Sequence, residues 1–189
     1  SSDVCSSDLG NSWVFFGLII AELGLVIALS AALGRLKAAT ATFMFFLYAA
    51  LNGLTLAAIF LVYTRASIAS TFFVTAGTFG AMSLYGYTTQ RDLTSWGSFL
   101  FMGLIGIIIA SVVNIFFKSS MIYWITTYAG ILIFVGLTAY DTQKLKAMAQ
   151  EAMDEETARK GAVMGALALY LDFINLFLLL LRIFGRGRD

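Results

Sequence analysis

The chain reads as an all-α polytopic membrane protein, and three observations lead there. Hydrophobic residues fill 60% of its 189 positions and charged residues only 12%, with a mean hydropathy of +0.87, far too little polar cover for a water-soluble domain. Apolar runs recur at about 12–33, 40–63, 67–87, 96–117, 121–142 and 162–184, and about 20 residues rising 1.5 Å each are what a hydrocarbon core requires. These runs are too long and too uniformly apolar for the two-residue alternation of a barrel strand. Six visible transmembrane helices follow, in a single domain over residues 11–189.

Residues 1–9, SSDVCSSDL, carry no basic n-region, apolar core or cleavage motif. They resemble a translated sequencing adapter, so residues 1–10 are read as a non-native or disordered tail and Cys5 is set aside. The spans are joined by short polar pieces, GRLKAA, TRAS, TTQRDLTS and KSS, and by one longer one, QKLKAMAQEAMDEETARKG. That last piece mixes charges at helical spacing and has no Pro or internal Gly, which predicts a surface helix continuing from the fifth span. Arg35, Lys37, Arg91, Lys144, Lys146, Arg159 and Lys160 fall on one side, against Arg65 and Lys118 in the opposing internal loops. The first side is therefore expected to be cytoplasmic. Arg182, Arg186 and Arg188 then mark the outer end of the last span, where Arg182 is expected to snorkel to the headgroups. Small residues in spans two to four, including Gly53, Gly77, Gly80, Gly103 and Gly106, predict close helix approach. Gly161 and Gly165 predict it for the start of the last span. Asp92 reads as a cap for the fourth span.

Composition narrows the chemistry. A net charge of +1 and basic residues dispersed over loops give no field or patch for nucleic acid. There is no His and one Cys, so Ser-His dyads, HExxH sites and ordinary soft-metal sites are excluded, and only a hard cation held by oxygens remains. No enzyme is expected. A two-aspartate intramembrane protease would need YD and GLGD signatures, and the YDTQ and LYLDFIN contexts here do not match them.

The strongest candidates are acids inside the apolar runs. Asp172 lies half way along the last span, where a carboxylate costs roughly 2.5–3.5 kcal/mol to insert. Asp141 closes the fifth span on the side from which the last span enters. Two carboxyls meeting between consecutive helices cannot both ionise cheaply, so they share a proton and titrate as a unit. That is a proton sensor built without histidine, and its ionised form would offer oxygens to Ca²⁺. Glu22, deep in the first visible span, either lines the same path or is a neutral structural group. Asn175, three residues after Asp172, either supports the carboxyl or makes an interhelical hydrogen bond, the use also expected of Asn52 and Asn114. Arg35 emerges where Asp141 is expected and is either its ionic partner or a lipid-facing anchor. The acidic run Glu151–Glu156 is read as a solvated face.

LTAYDTQKLK, followed about 25 residues later by ALYLDFINLFLLLLRIFG, is similar to the closing signature of the transmembrane Bax inhibitor motif family, particularly its bacterial members. YAALNGLTL and FGAMSLYGYTTQRDLTSWGSFLFMGLIG add to the resemblance, which covers residues 11–185. It implies a seven-helix fold with the last helix central, the first helix being absent from the six visible here, and residence in the bacterial inner membrane. It also implies a pH-sensitive calcium leak, with the paired aspartates at Asp141 and Asp172, the acidic residue at Glu22, and a basic latch near Gly34 and Arg35. Three functions stay open: this leak, with Ca²⁺ and H⁺ as the species handled and no resident cofactor; a proton-coupled transporter; and a non-conducting membrane regulator of a protease or cell-death pathway. No feature selects a protein partner.

Overall fold

A computed structural model describes residues 36–187 together with Gly24. Its helices are α1 Ala38–Leu56, α2 Ile59–Val62, α3 Arg65–Thr88, α4 Thr94–Phe117, α5 Ser120–Glu151 and α6 Glu155–Phe184. The first two form one crossing, Ala38–Val62, so five segments among the described residues are long and apolar enough to cross a membrane. Each falls on one of the five later runs read from the sequence. The run at 12–33, with Glu22, lies outside the described residues, as does Arg35. No strand occurs among the described residues; Tyr63 and Gly187 form an isolated bridge.

Local chemistry sets the helix ends. The side chains of Thr64, Ser119 and Asp154 accept from the amides of Ser67, Ile122 and Thr157, occupying orphan donors at the starts of α3, α5 and α6. Asp92 sits one residue before the cap position of α4 but still accepts from the Thr94 amide at 2.9 Å and its hydroxyl at 2.6 Å. Lys118 stops α4 by turning left-handed at φ 48°. Asn114 supports that stop by accepting from the Ser119 amide at 2.8 Å, a turn contact in place of the interhelical bond its position predicts. Helix α5 does continue past the fifth span, as its charge spacing predicts. It breaks only at Ala152–Asp154, where Asp154 starts α6.

Helices α5 and α6 form the centre. Helix α6 packs on α5, α3 and α1, while α5 packs on α6, α4 and α3. Leu176 and Leu181 of α6 are fully buried, and Phe134 and Leu137 of α5 pack with Leu176 and Leu180. Leucine side chains on one helix fill glycine gaps on the other: a Cβ on Gly130 would meet Leu179, and one on Gly165 would meet Leu145. These two contacts keep α5 and α6 in one antiparallel register along their length. The outward faces are apolar, with Phe116 and Phe117 of α4 81% and 75% exposed, as lipid contact requires.

Of the glycines the sequence points to, Gly165 and Gly103 do lie at close approaches, against Leu145 and Ile133, and the others do not. A Cβ on Gly53, Gly77, Gly80 or Gly106 would meet nothing within 4 Å, and one on Gly161 only ordinary contact with Met148. Gly86, in contrast, lies directly against the Ala139 backbone, Gly97 against the Tyr140 ring and Gly136 against Leu100. Counting small residues finds places where helices could approach, but the crossing points depend on which faces meet. Positive loop residues gather as the charge count predicts. Hydrogen bonds from Ala38 to Glu156, Gln143 to Arg91 and Lys146 to Tyr87 bring Lys37, Arg91, Lys144, Lys146, Arg159 and Lys160 to one end.

Replacing Gly86 by Ala pushes a methyl into the Ala139 carbonyl and should destabilise the α3–α5 crossing by about 1–3 kcal/mol, as overpacked cores are. Gly80→Ala should be near neutral. Thermal unfolding in detergent compares the two. The Asp154 carboxyl is held below the ordinary value of 3.8, chiefly by the Thr157 amide, then by the Thr157 hydroxyl. Its contribution to stability is thus complete above that value and lost as pH falls through the lowered one. Asp154→Asn should remove this acid-dependent part, read as the difference in melting between the two proteins across acidic pH.

Candidate functional site

The antiparallel register of α5 and α6 decides which polar side chains can meet. With Leu145 at Gly165 and Leu179 at Gly130, Asp141 on α5 comes opposite Asp172 on α6, and the two carboxyls lie within mutual hydrogen-bonding reach. Asp172 is 4% exposed and Asp141 half-buried. Asp172 Oδ2 has no hydrogen-bond donor among the described residues. Two carboxyl groups bond to each other only through a proton, and an unsatisfied buried acceptor is costly, so the arrangement demands at least one shared proton. Lys144, one turn beyond Asp141 on the same helix face, supplies the nearby positive charge.

The pair sits on the wall of a cleft of about 1280 Å³ between α4, α5 and α6. Its walls follow helical spacing. Helix α5 contributes Tyr123, Gly130, Phe134, Leu137, Asp141 and Lys144, α6 contributes Ala168, Asp172, Asn175, Leu179 and Arg182, and α4 contributes residues from Gly97 to Ile115. That stretch of α4 covers about 27 Å of helix axis at 1.5 Å per residue, close to the thickness of a hydrocarbon core. The cleft exists because α5 separates its neighbours: α4 packs chiefly on α5 and α6 on the adjoining face.

Other polar residues of the cleft behave less as the sequence predicts. The Asn175 amide donates to the Leu171 carbonyl of its own helix at 2.7 Å, so it neither clasps Asp172 nor joins another helix through that group. Asn52 does make an interhelical bond, accepting from the Tyr170 hydroxyl at 3.0 Å. Arg182, exposed in the last turn of α6, lines the far end of the cleft with its guanidinium 5.5 Å from the Tyr123 ring centroid. Glu22 and Arg35, the expected path-lining acid and basic latch, fall outside the described residues. The acidic run is a solvated face as expected, with Glu151, Asp154, Glu155 and Glu156 all exposed, and Glu156 also accepts from the Ala38 amide at 2.7 Å, capping α1 from the start of α6. Lys144 was legible as the residue three places after Asp141; Tyr123 as the ring under Arg182 was not, because nothing in spacing aligns two different helices.

Among the described residues no group of three or more acidic, His or Cys side chains could hold a metal ion. Two carboxyls supply at most four oxygens, short of the six to eight Ca²⁺ prefers. The donor set fits a passing, partly hydrated cation better than a resident one.

A family model described as Inhibitor of apoptosis-promoting Bax1 matches residues 3–189. The chain is 61% identical over 180 residues to the inner membrane protein YbhL of Escherichia coli strain K12, an alignment taking in 94% of this chain and 77% of that one. It is 52% identical over 180 residues to a protein of Borreliella burgdorferi, covering 95% and 78% of the two chains. A membrane protein of Streptococcus pyogenes serotype M3 is 42% identical over 174 residues, covering 92% and 75%. Five membrane-length helices and this likeness over nearly its whole length identify a multi-pass inner-membrane protein that belongs to the Bax inhibitor-1 family.

Proposed function

We propose that the protein is a pH-sensitive, calcium-permeable leak whose proton sensor is the Asp141–Asp172 pair. The observation that carries this reading is the pair of carboxyls within hydrogen-bonding reach of each other on the wall of a membrane-length cleft. A divalent cation leaving water inside a bilayer needs negative oxygens close by. The protonated pair offers little charge. Losing the shared proton turns the same two groups into a dianionic patch that attracts Ca²⁺ and repels itself, so one titration changes both the affinity of the path and the spacing of α5 and α6. Since two carboxylates leave the coordination shell incomplete, the ion keeps part of its water and can move on, as permeation requires.

Reconstituted into liposomes, the protein should pass Ca²⁺ at a rate that depends on pH. Asp172→Asn should flatten that dependence, bringing the ratio of rates at acidic and alkaline pH towards one. A mutant that keeps the wild-type pH profile rules the pair out as the sensor. Flux that saturates and follows an imposed proton gradient would replace the leak with a proton-coupled transporter.

A further inference from the structure

Two residues beyond Asp141, the side chain of Gln143 reaches away from the cleft to the α3–α4 connection. Its Oε1 accepts from the Leu93 amide at 2.9 Å and its Nε2 donates to the Arg91 carbonyl at 2.8 Å. One amide group is thus bonded on both edges to the backbone of a loop 50 residues away in sequence, in the pattern by which one strand reads another. Leu93 is the cap residue of α4, with no side-chain cap of its own, so Gln143 satisfies one of the donors that start that helix. The loop is also held at its other end, where Lys146 donates to the Tyr87 carbonyl at 2.9 Å and lies 4.7 Å from the Tyr87 ring centroid.

We infer that Gln143 is a positioning residue that straps the start of α4 to the turn of α5 following Asp141, so that a shift of α5 at the carboxyl pair is carried to the opposite wall of the cleft. The inference rests on the reading of Asp141 and Asp172 as the responsive pair. The geometry fits transmission: α4 packs chiefly on α5, and Gly97, one turn into α4, lies directly against the ring of Tyr140, the neighbour of Asp141. Near its start helix α4 therefore meets the pair's helix through a packed ring and a doubly hydrogen-bonded amide, with Leu100 against Gly136 further along. Of these contacts, only the amide bonds the backbone that leads into α4, accepting from the Leu93 amide and donating to the Arg91 carbonyl. Among the described residues the charged groups that face this region are Lys144 and Lys146 on α5 and Arg91 and Asp92 on the loop, and the start of α4 adds the hydroxyls of Thr94 and Ser98. Helix α6 contributes Asp172. Asp92 is engaged by Thr94 and held below the ordinary carboxylate range by those bonds.

The test uses the full chain with Cys5 replaced by Ser and two spin-label pairs at exposed helix positions. Ala149→Cys with Ala158→Cys reports α5 against α6, and Ser95→Cys with Ala158→Cys reports α4 against α6. In the parent protein both distances should change between acidic and alkaline pH, and both changes should vanish with Asp172→Asn. Gln143→Ala should keep the α5–α6 change and lose the α4–α6 change; Gln143→Glu, which still accepts from Leu93 but no longer donates to Arg91, should keep part of it. Lys146 and the Tyr140–Gly97 contact remain in both variants, and an unchanged acidic-pH α5–α6 distance verifies their fold. A Gln143→Ala protein in which α4 still follows α5 overturns the strap. Label responses as expected without calcium flux in the parent would sink the leak and leave the strap standing, whereas no response at either pair overturns the strap together with the switch.

Discussion

The structure depends on how closely α5 and α6 approach. Buried carboxyls are expensive wherever they lie in a bilayer, and the expense can be met here because glycines at Gly130 and Gly165 let Leu179 and Leu145 sink between the helices. That interlock sets a single antiparallel register. Within it Asp141 and Asp172 face each other and can share a proton, so the cost of burying one acid is reduced by the presence of the other. A shift by one residue on either helix would turn its carboxyl about 100° away, given 3.6 residues per turn, and leave two isolated acids in place of one pair.

Around this contact the remaining helices are tied unequally. Helix α6 is held at both ends. Glu156 caps α1 near its start, and beyond its last turn the Ser67 hydroxyl donates to the Phe184 carbonyl at 3.2 Å and accepts from the Arg186 amide at 2.8 Å. Helix α3 is pressed against α5 at Gly86 and against α6 through Phe72, Phe173 and Phe177. Helix α4 is joined chiefly to α5, through Leu100 at Gly136, the Tyr140 ring at Gly97 and the Gln143 amide. The cleft opens on the side where these ties are fewest. The pair and the cleft therefore belong to one arrangement, in which α4 is held through α5 alone among the helices it packs on extensively.

Much of this was legible residue by residue. Hydropathy located all five described crossings, and alternating loop charges placed the lysines and arginines together at one end, because both signals are read along one helix at a time. Asp141 and Asp172 stood out for the same reason: a carboxylate within an apolar run is conspicuous whatever surrounds it. Thr64, Ser119 and Asp154 cap helices through contacts three residues away, within reach of sequence reasoning. The misreadings fall where a side chain has several partners in range. Asn114 turned to the backbone of its own turn and Asn175 to its own helix, since a short amide finds a nearby carbonyl or amide before a distant one.

The order of helices along the chain, their lengths, the side on which positive charge collects and the identity of the buried acids were determined by the sequence alone, through the bilayer's demand for about 20 apolar residues per crossing and its penalty for charge. Tertiary structure alone decided that the two acids meet, that Gly86 and Gly130 are points of close approach, that Glu156 caps a helix 118 residues away, and that Gln143 grips the α3–α4 loop. The physical reason is that an apolar helix surface looks much the same all round to lipid, so which face turns inward is settled only when complementary helices pack.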